Sequence, residues 1–198
     1  MKRTGALIAL AAALWWAPAA ADEARTYFDI GAKAYQAGRY LDAAQAFDEA
    51  YRRSTRPGLL FSLGQAHRME YFARNDPARL RDAIRYYEEY LAKEPQGKRV
   101  VETTEALSKL KPLAAAAGEK PDSPVAPAPP SKPRVMISSP TPEVKVTFDG
   151  RAVSHPFIQE VEPGKHKVVL SAPGFEDYVR EFVVDAKTGA PPLDIPLE

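Results

Sequence analysis

Few side chains in this sequence can do covalent or metal chemistry. The 198 residues contain no cysteine, which removes thiol nucleophiles, thiolate metal sites and disulfides together. The histidines are His67, His155 and His166. None stands at the two- or four-residue spacing from another that a metal-binding pair uses. His67 lies on an apolar helical face and reads as core or rim. His155 precedes Pro156 and reads as loop, while His166 opens a strand and reads as its rim. Asp149, followed by Gly150, is a turn former before it is an acid. No glycine-rich phosphate loop and no Gly-x-Ser-x-Gly elbow occurs. The expectation is a chain that is not an enzyme, needs neither cofactor nor metal, and works by recognition.

Charge narrows the partners. The formal charge is +1, too balanced to predict nucleic acid or an acidic lipid surface. The start carries Lys2 and Arg3, then an apolar run from Gly5 to Trp16, then Pro18 and the small residues Ala19-Ala20-Ala21 before Asp22-Glu23. That order predicts a signal peptide over residues 1–21, cleaved after Ala21. The run of about 12 apolar residues falls short of the roughly 20 that span a membrane. The predicted location is periplasmic, cell-surface or secreted, with no membrane span after cleavage.

Residues 22–117 carry helical periodicity. Tyr27, Ile30, Gly31, Ala34 and Tyr35 recur at three- and four-residue steps, and Ala43, Phe47 and Ala50 continue them after a turn at Gly38. Small residues alternate with bulky ones as in two closely packed helices, with Gly31 and Ala43 at the approach. Leu60, Leu63, Gly64 and His67 repeat the first helix at a shift of 33 residues. Ala83, Tyr87 and Tyr90 repeat the second at a shift of 40, so seven residues are inserted around Glu70 to Arg79. Asp76 is placed to cap a helix that begins at Pro77. A final helix over Arg99 to Leu113 carries an apolar stripe of Val100, Val101, Thr104, Leu107, Leu110 and Leu113. The sum is five helices, two pairs plus one.

These repeats resemble the tetratricopeptide repeat, a helix-turn-helix unit of about 34 residues. The resemblance implies a concave groove lined by the first helix of each pair. Transferred residue by residue, it makes Arg25, Phe28, Tyr35 and Gln36 of the first unit, and Phe61, Gln65, Arg68 and Met69 of the second, the partner-binding groove. A protein or peptide in the cell envelope is the implied partner. Phe28, Tyr35 and Phe61 would stack on an apolar side chain, and Arg25 or Arg68 would hold a carboxylate.

Between Lys111 and Arg134 stand seven of the 19 prolines. Residues 118–133 therefore read as an extended linker, able to hold its flanking modules up to roughly 50 Å apart. From residue 134 to 198 the period becomes two, with Val144, Val146 and Phe148 alternating with polar residues. Turn pairs Asp149-Gly150, Pro163-Gly164 and Pro173-Gly174 divide short strands. A small antiparallel β-sandwich is predicted. Its sequence, Pro142-Glu143-Val144-Lys145-Val146, Asp149-Gly150, Val161-Glu162-Pro163-Gly164-Lys165-His166 and Pro173-Gly174-Phe175, resembles the PEGA domain. Glu162-Pro163 inverts the first two residues of that domain's naming motif. The resemblance implies a bacterial envelope or surface setting and a second docking element. The whole reads as a two-domain chain, an all-α tetratricopeptide-like array followed by an all-β PEGA-like sandwich, acting as an interaction scaffold. The alternative is peptidoglycan or polysaccharide binding through the sandwich, which would need aromatic residues to spare from its core.

Overall fold

The computed structural model describes residues 17–117, 132–186 and 189–198. Residues 1–16 of the expected leader, and residues 118–131 of the expected linker, lie outside them. Five helices come first: α1 (Ala17–Gln36), α2 (Tyr40–Ser54), α3 (Pro57–Arg74), α4 (Pro77–Lys93) and α5 (Val100–Ala116). None of the helices among the described residues is long and apolar enough to cross a membrane.

Local chemistry sets each turn. Gly38 joins α1 to α2 at φ +74°, a left-handed conformation that a side chain would disfavour. Thr55 ends α2 in the left-handed region, its N–H donating to Tyr51 O, and Pro57 starts α3 where no N–H is needed. Asp76 caps α4: its Oδ1 accepts the Ala78 N–H at 2.9 Å, with Pro77 in the first turn. The seven-residue insertion is helical. In register with the first pair, α3 runs five residues further at its C-terminal end and α4 starts three residues earlier, while the connection shortens by one.

Tyr27, Ile30, Ala34, Ala43, Phe47 and Ala50 are buried in the first hairpin, and Leu60, Leu63, Leu80, Ala83, Tyr87 and Tyr90 in the second. The face of α5 differs from the expected stripe. Thr103, Ala106, Leu107, Leu110 and Ala114 are buried, while Val101 is 72% exposed and Leu113 39%. Thr103 tolerates burial because its Oγ1 donates to Arg99 O at 2.7 Å. The buried face of α5 is therefore turned toward Thr103, Ala106 and Ala114, which leaves Val101 outside.

The C-terminal half holds β1 (Arg134–Ser138), β2 (Lys145–Phe148), β3 (Arg151–Val153), β4 (Phe157–Glu160), β5 (Gly164–Ser171), β6 (Tyr178–Val184) and β7 (Leu193–Asp194). They form two sheets, ordered β4-β1-β7 and β3-β2-β5-β6. Every pairing is antiparallel except β1 with β7, which is parallel. Asp149 and Gly150, both at positive φ, make the two-residue β2–β3 turn.

The sandwich does not stand away from the helices. Val135 and Ile137 of β1 and Phe157 of β4 point into the sandwich core. Between them Met136 and Ile158, cross-strand partners, belong to the helical core instead. The β4-β1-β7 sheet is thus covered on both faces, and the molecule is layered helix on sheet on sheet. A linker long enough to separate the modules joins two bodies that touch, because the outer face of this sheet is apolar and needs cover.

Candidate functional site

Two glycines bring the helices of each pair close enough to shape a groove. A Cβ built on Gly31 would fall 2.6 Å from Phe47 Cε1, and one on Gly64 would fall 2.6 Å from Tyr87 Cδ1. Side chains of α1 then face those of α3 across a groove of about 880 Å³, which Phe47 of α2 also lines. That volume is of the size that holds a small molecule or a few peptide side chains.

Six of the eight expected residues line it: Arg25, Phe28, Tyr35, Gln36, Phe61 and Gln65. Arg68 and Met69 do not. The charge of Arg68 acts on the phenols of Tyr35 and Tyr87, and its Nε is buried without a hydrogen-bond partner. The groove residues differ in kind. Phe28 is 39% exposed, its ring 5.5 Å from that of Phe47. Phe61 is only 5% exposed and sits 5.9 Å from the rings of both Tyr87 and Tyr90. Phe61 is therefore a wall built from the core, while Phe28 is a free contact.

Tyr35 packs edge-on to Tyr40 at 5.2 Å, and burial raises its phenol pKa above the usual value against the opposing charge of Arg68. Gln65 Nε2 donates to Glu102 Oε1 at 3.2 Å. Arg25 makes a long, exposed contact of 3.9 Å to Asp29, too solvated to hold the guanidinium firmly.

The groove also contains a cation that the repeat pattern could not supply. Arg99, ahead of α5, lies with its guanidinium carbon 5.1 Å from the Phe61 ring centroid, its Nη1 donating to Glu102 at 2.9 Å. The repeat pattern assigns groove positions only to the first helices of the two pairs, and Arg99 lies beyond both. Its signal was position: a basic residue immediately before a third helix equivalent to α1 and α3.

The histidines hold structure. His67 is buried and stacked on Tyr86, ring centroids 5.4 Å apart. Burial pushes its pKa down to about 4, although Asp82, 3.7 Å away, pulls the other way. The Asp82 carboxylate is engaged by Arg79 at 2.9 Å and Arg85 at 3.2 Å. His166 bonds Asp149 Oδ2 through Nδ1 at 2.7 Å and meets Glu162 O through Nε2 at 2.8 Å. Desolvation opposes its charge, but these bonds and the Asp149 carboxylate raise its pKa overall. Asp149 Oδ1 also accepts the Lys167 N–H at 2.8 Å, so this pair braces the β2–β3 turn. No group of three or more potential metal ligands occurs among the described residues.

A second, smaller cleft of about 270 Å³ opens between α1, α2 and β1, beside Arg52, Arg53, Lys132 and Arg134. Each cation already has a carboxylate: Arg52 has Asp48, Arg53 has Glu23 and Glu49, Lys132 has Glu162, and Arg134 has Glu160. This cleft is a salt-bridged seam, with no surplus positive charge to draw an anion. In the sandwich, Phe148 and Phe157 are core, Tyr178 and Phe182 are half-buried, and Phe175 is exposed.

Comparison with curated proteins and with solved structures finds no match for this chain. No tetratricopeptide match accompanies the helices. The family comparison matches the sandwich, and residues 132–197 carry a PEGA domain.

Proposed function

We propose that this chain is a non-enzymatic interaction scaffold of the cell envelope, in which a tetratricopeptide-like groove takes a protein or peptide and the PEGA domain is a second docking element. The observation that carries the reading is the groove itself. Residues from two sequence repeats, 33 positions apart, converge there, with the exposed Phe28, the amides of Gln36 and Gln65, and the loosely held Arg25. That mixture suits an extended segment offering an apolar side chain and a carboxylate. The leader pattern before Asp22 supports export, and residues 1–21 would be absent from the mature chain.

The test compares the unsubstituted protein with a double variant, Phe28→Ala with Arg25→Glu, as baits in envelope extract. Both residues are exposed, so the variant keeps its far-UV circular dichroism and loses the partner that the unsubstituted bait recovers. Retention of the same partner by the folded variant overturns the groove reading. Amino-terminal sequencing of the exported protein tests cleavage after Ala21.

A further inference from the structure

Both ring nitrogens of His166 face groups that can only accept. Nδ1 lies 2.7 Å from Asp149 Oδ2, in the β2–β3 turn, and Nε2 lies 2.8 Å from Glu162 O, in the β4–β5 turn. A carbonyl oxygen carries no proton. The Asp149 carboxylate carries none near neutral pH: burial opposes its charge, but the Lys167 N–H and the His166 ring hold its carboxyl below its ordinary value. A neutral imidazole donates from one nitrogen only, so it satisfies one of these contacts and sets a lone pair against the other. Only the imidazolium donates to both.

The surroundings suit a charged ring. Phe148 of β2 stacks on His166 with centroids 5.1 Å apart, and Phe182 of β6 lies tilted at 6.2 Å. Aromatic faces attract a cation. The other charges nearby are accounted for. Lys165 and Lys167 adjoin His166 on β5 and point to the opposite face of the sheet. On β6 the cross-strand partner is the uncharged Phe182, and Arg180, two positions along the same face, is exposed. Arg151 of β3 acts on Asp149, and the Glu162 carboxylate is taken by Lys132.

We infer that the PEGA domain is braced by an imidazolium: protonated His166 ties the β2–β3 turn to the β4–β5 turn, and loss of the proton frees the second. The remaining N–H stays with Asp149, because a charged acceptor holds it more strongly than a carbonyl does. Glu162-Pro163-Gly164 then loses its tie to the ring. Desolvation works against the charge, yet the two contacts raise the His166 pKa above the ordinary 6.5 overall. The brace is therefore complete below 6.5 and is lost as pH rises through the folded value. His67, with a folded pKa of about 4, runs the other way. Acid steadies the sandwich while it loosens the helices. The inference is independent of what the groove binds.

Nitrogen-15 NMR of the three histidine rings in the full chain, titrated from about pH 5.5 to about 9, tests it. The His166 signals are identified by their loss in His166→Gln. Their midpoint should lie above 6.5, and in Asp149→Asn, which keeps the turn and removes the charge, it should move down toward 6.5. Above the midpoint Nδ1 should stay protonated while Nε2 does not. Val161, whose N–H donates to Pro133 O at the start of this turn, reports the release. Its exchange protection, corrected for the intrinsic rate, should fall as pH rises through the His166 midpoint, and should be flat with pH in His166→Gln. The brace is overturned by a midpoint at or below 6.5, by a midpoint unmoved in Asp149→Asn, by Val161 protection that is constant across the titration, or by the same fall in His166→Gln.

Discussion

Phe47 occupies the space that a side chain on Gly31 would need, and Tyr87 stands in the same relation to Gly64. The second contact is tighter, because Cγ at the fixed base of the Tyr87 ring lies 3.0 Å from the built Cβ along with two ring carbons at 2.6 and 2.7 Å. Gly31→Ala gains about 0.5–1 kcal/mol of helix preference but overpacks the hairpin by about 1–3 kcal/mol. Both alanine variants should lower the thermal midpoint, Gly64→Ala more than Gly31→Ala. Unchanged or raised midpoints would show that the hairpins pack elsewhere.

Phe61 and Phe28 separate stability from recognition. Phe61→Ala removes a ring enclosed by Tyr87 and Tyr90 and should destabilise the fold by about 3–5 kcal/mol. Phe28→Ala removes a partly exposed ring with one aromatic neighbour, worth about 1 kcal/mol. Urea unfolding measures both. A Phe61 variant as stable as the Phe28 variant would contradict its place in the core.

The Asp76 cap is tested by a pair of substitutions. Asp76→Ala leaves the Ala78 N–H unsatisfied and should lose about 0.5–2 kcal/mol. Asp76→Asn keeps an acceptor and loses only the partly exposed pairing with Arg79, seen at 3.3 Å, so its loss should be about 0–1 kcal/mol. Equal losses from the two would assign the effect to charge and not to the cap.

His67 gives the helical half its own acid sensitivity. Its pKa is about 4 in the folded chain and about 6.5 unfolded. The folded state resists the proton that the unfolded chain accepts, so its contribution is complete above pH 6.5 and lost as pH falls toward 4. The difference amounts to on the order of 3 kcal/mol. Carboxylates add their own acid effect, so the comparison is with His67→Phe, which keeps the stack on Tyr86. Between pH 6.5 and 4 the unsubstituted chain should lose stability relative to this variant. A constant gap across that range would place His67 in solvent.

The helices, their pairing and the β half were legible because their signals are local. A period of 3.6 with Gly31 and Gly64 in register predicts two close hairpins, and alternation around Val146 with turn pairs predicts short strands. Asp76-Pro77 even marked where α4 begins. The face of α5 was not legible, since Val101 and Thr103 differ too little in local pattern to decide which one meets α4. Nor could the pattern show that Phe61 is wall while Phe28 is free, because both occupy equivalent-looking helical positions.

What sequence alone determined about this protein is its set of elements and which residues could share a groove. Only the tertiary structure decided that the PEGA domain rests on the helices. One trace of that docking stood in the sequence: Val135-Met136-Ile137 and Phe157-Ile158 are continuous apolar runs, the mark of strands buried on both faces. Which surface covers the second face is fixed by complementary shape and charge between residues as distant as Lys33 and Asp194. No local repeat encodes that choice, because the contact is made only after both modules have folded.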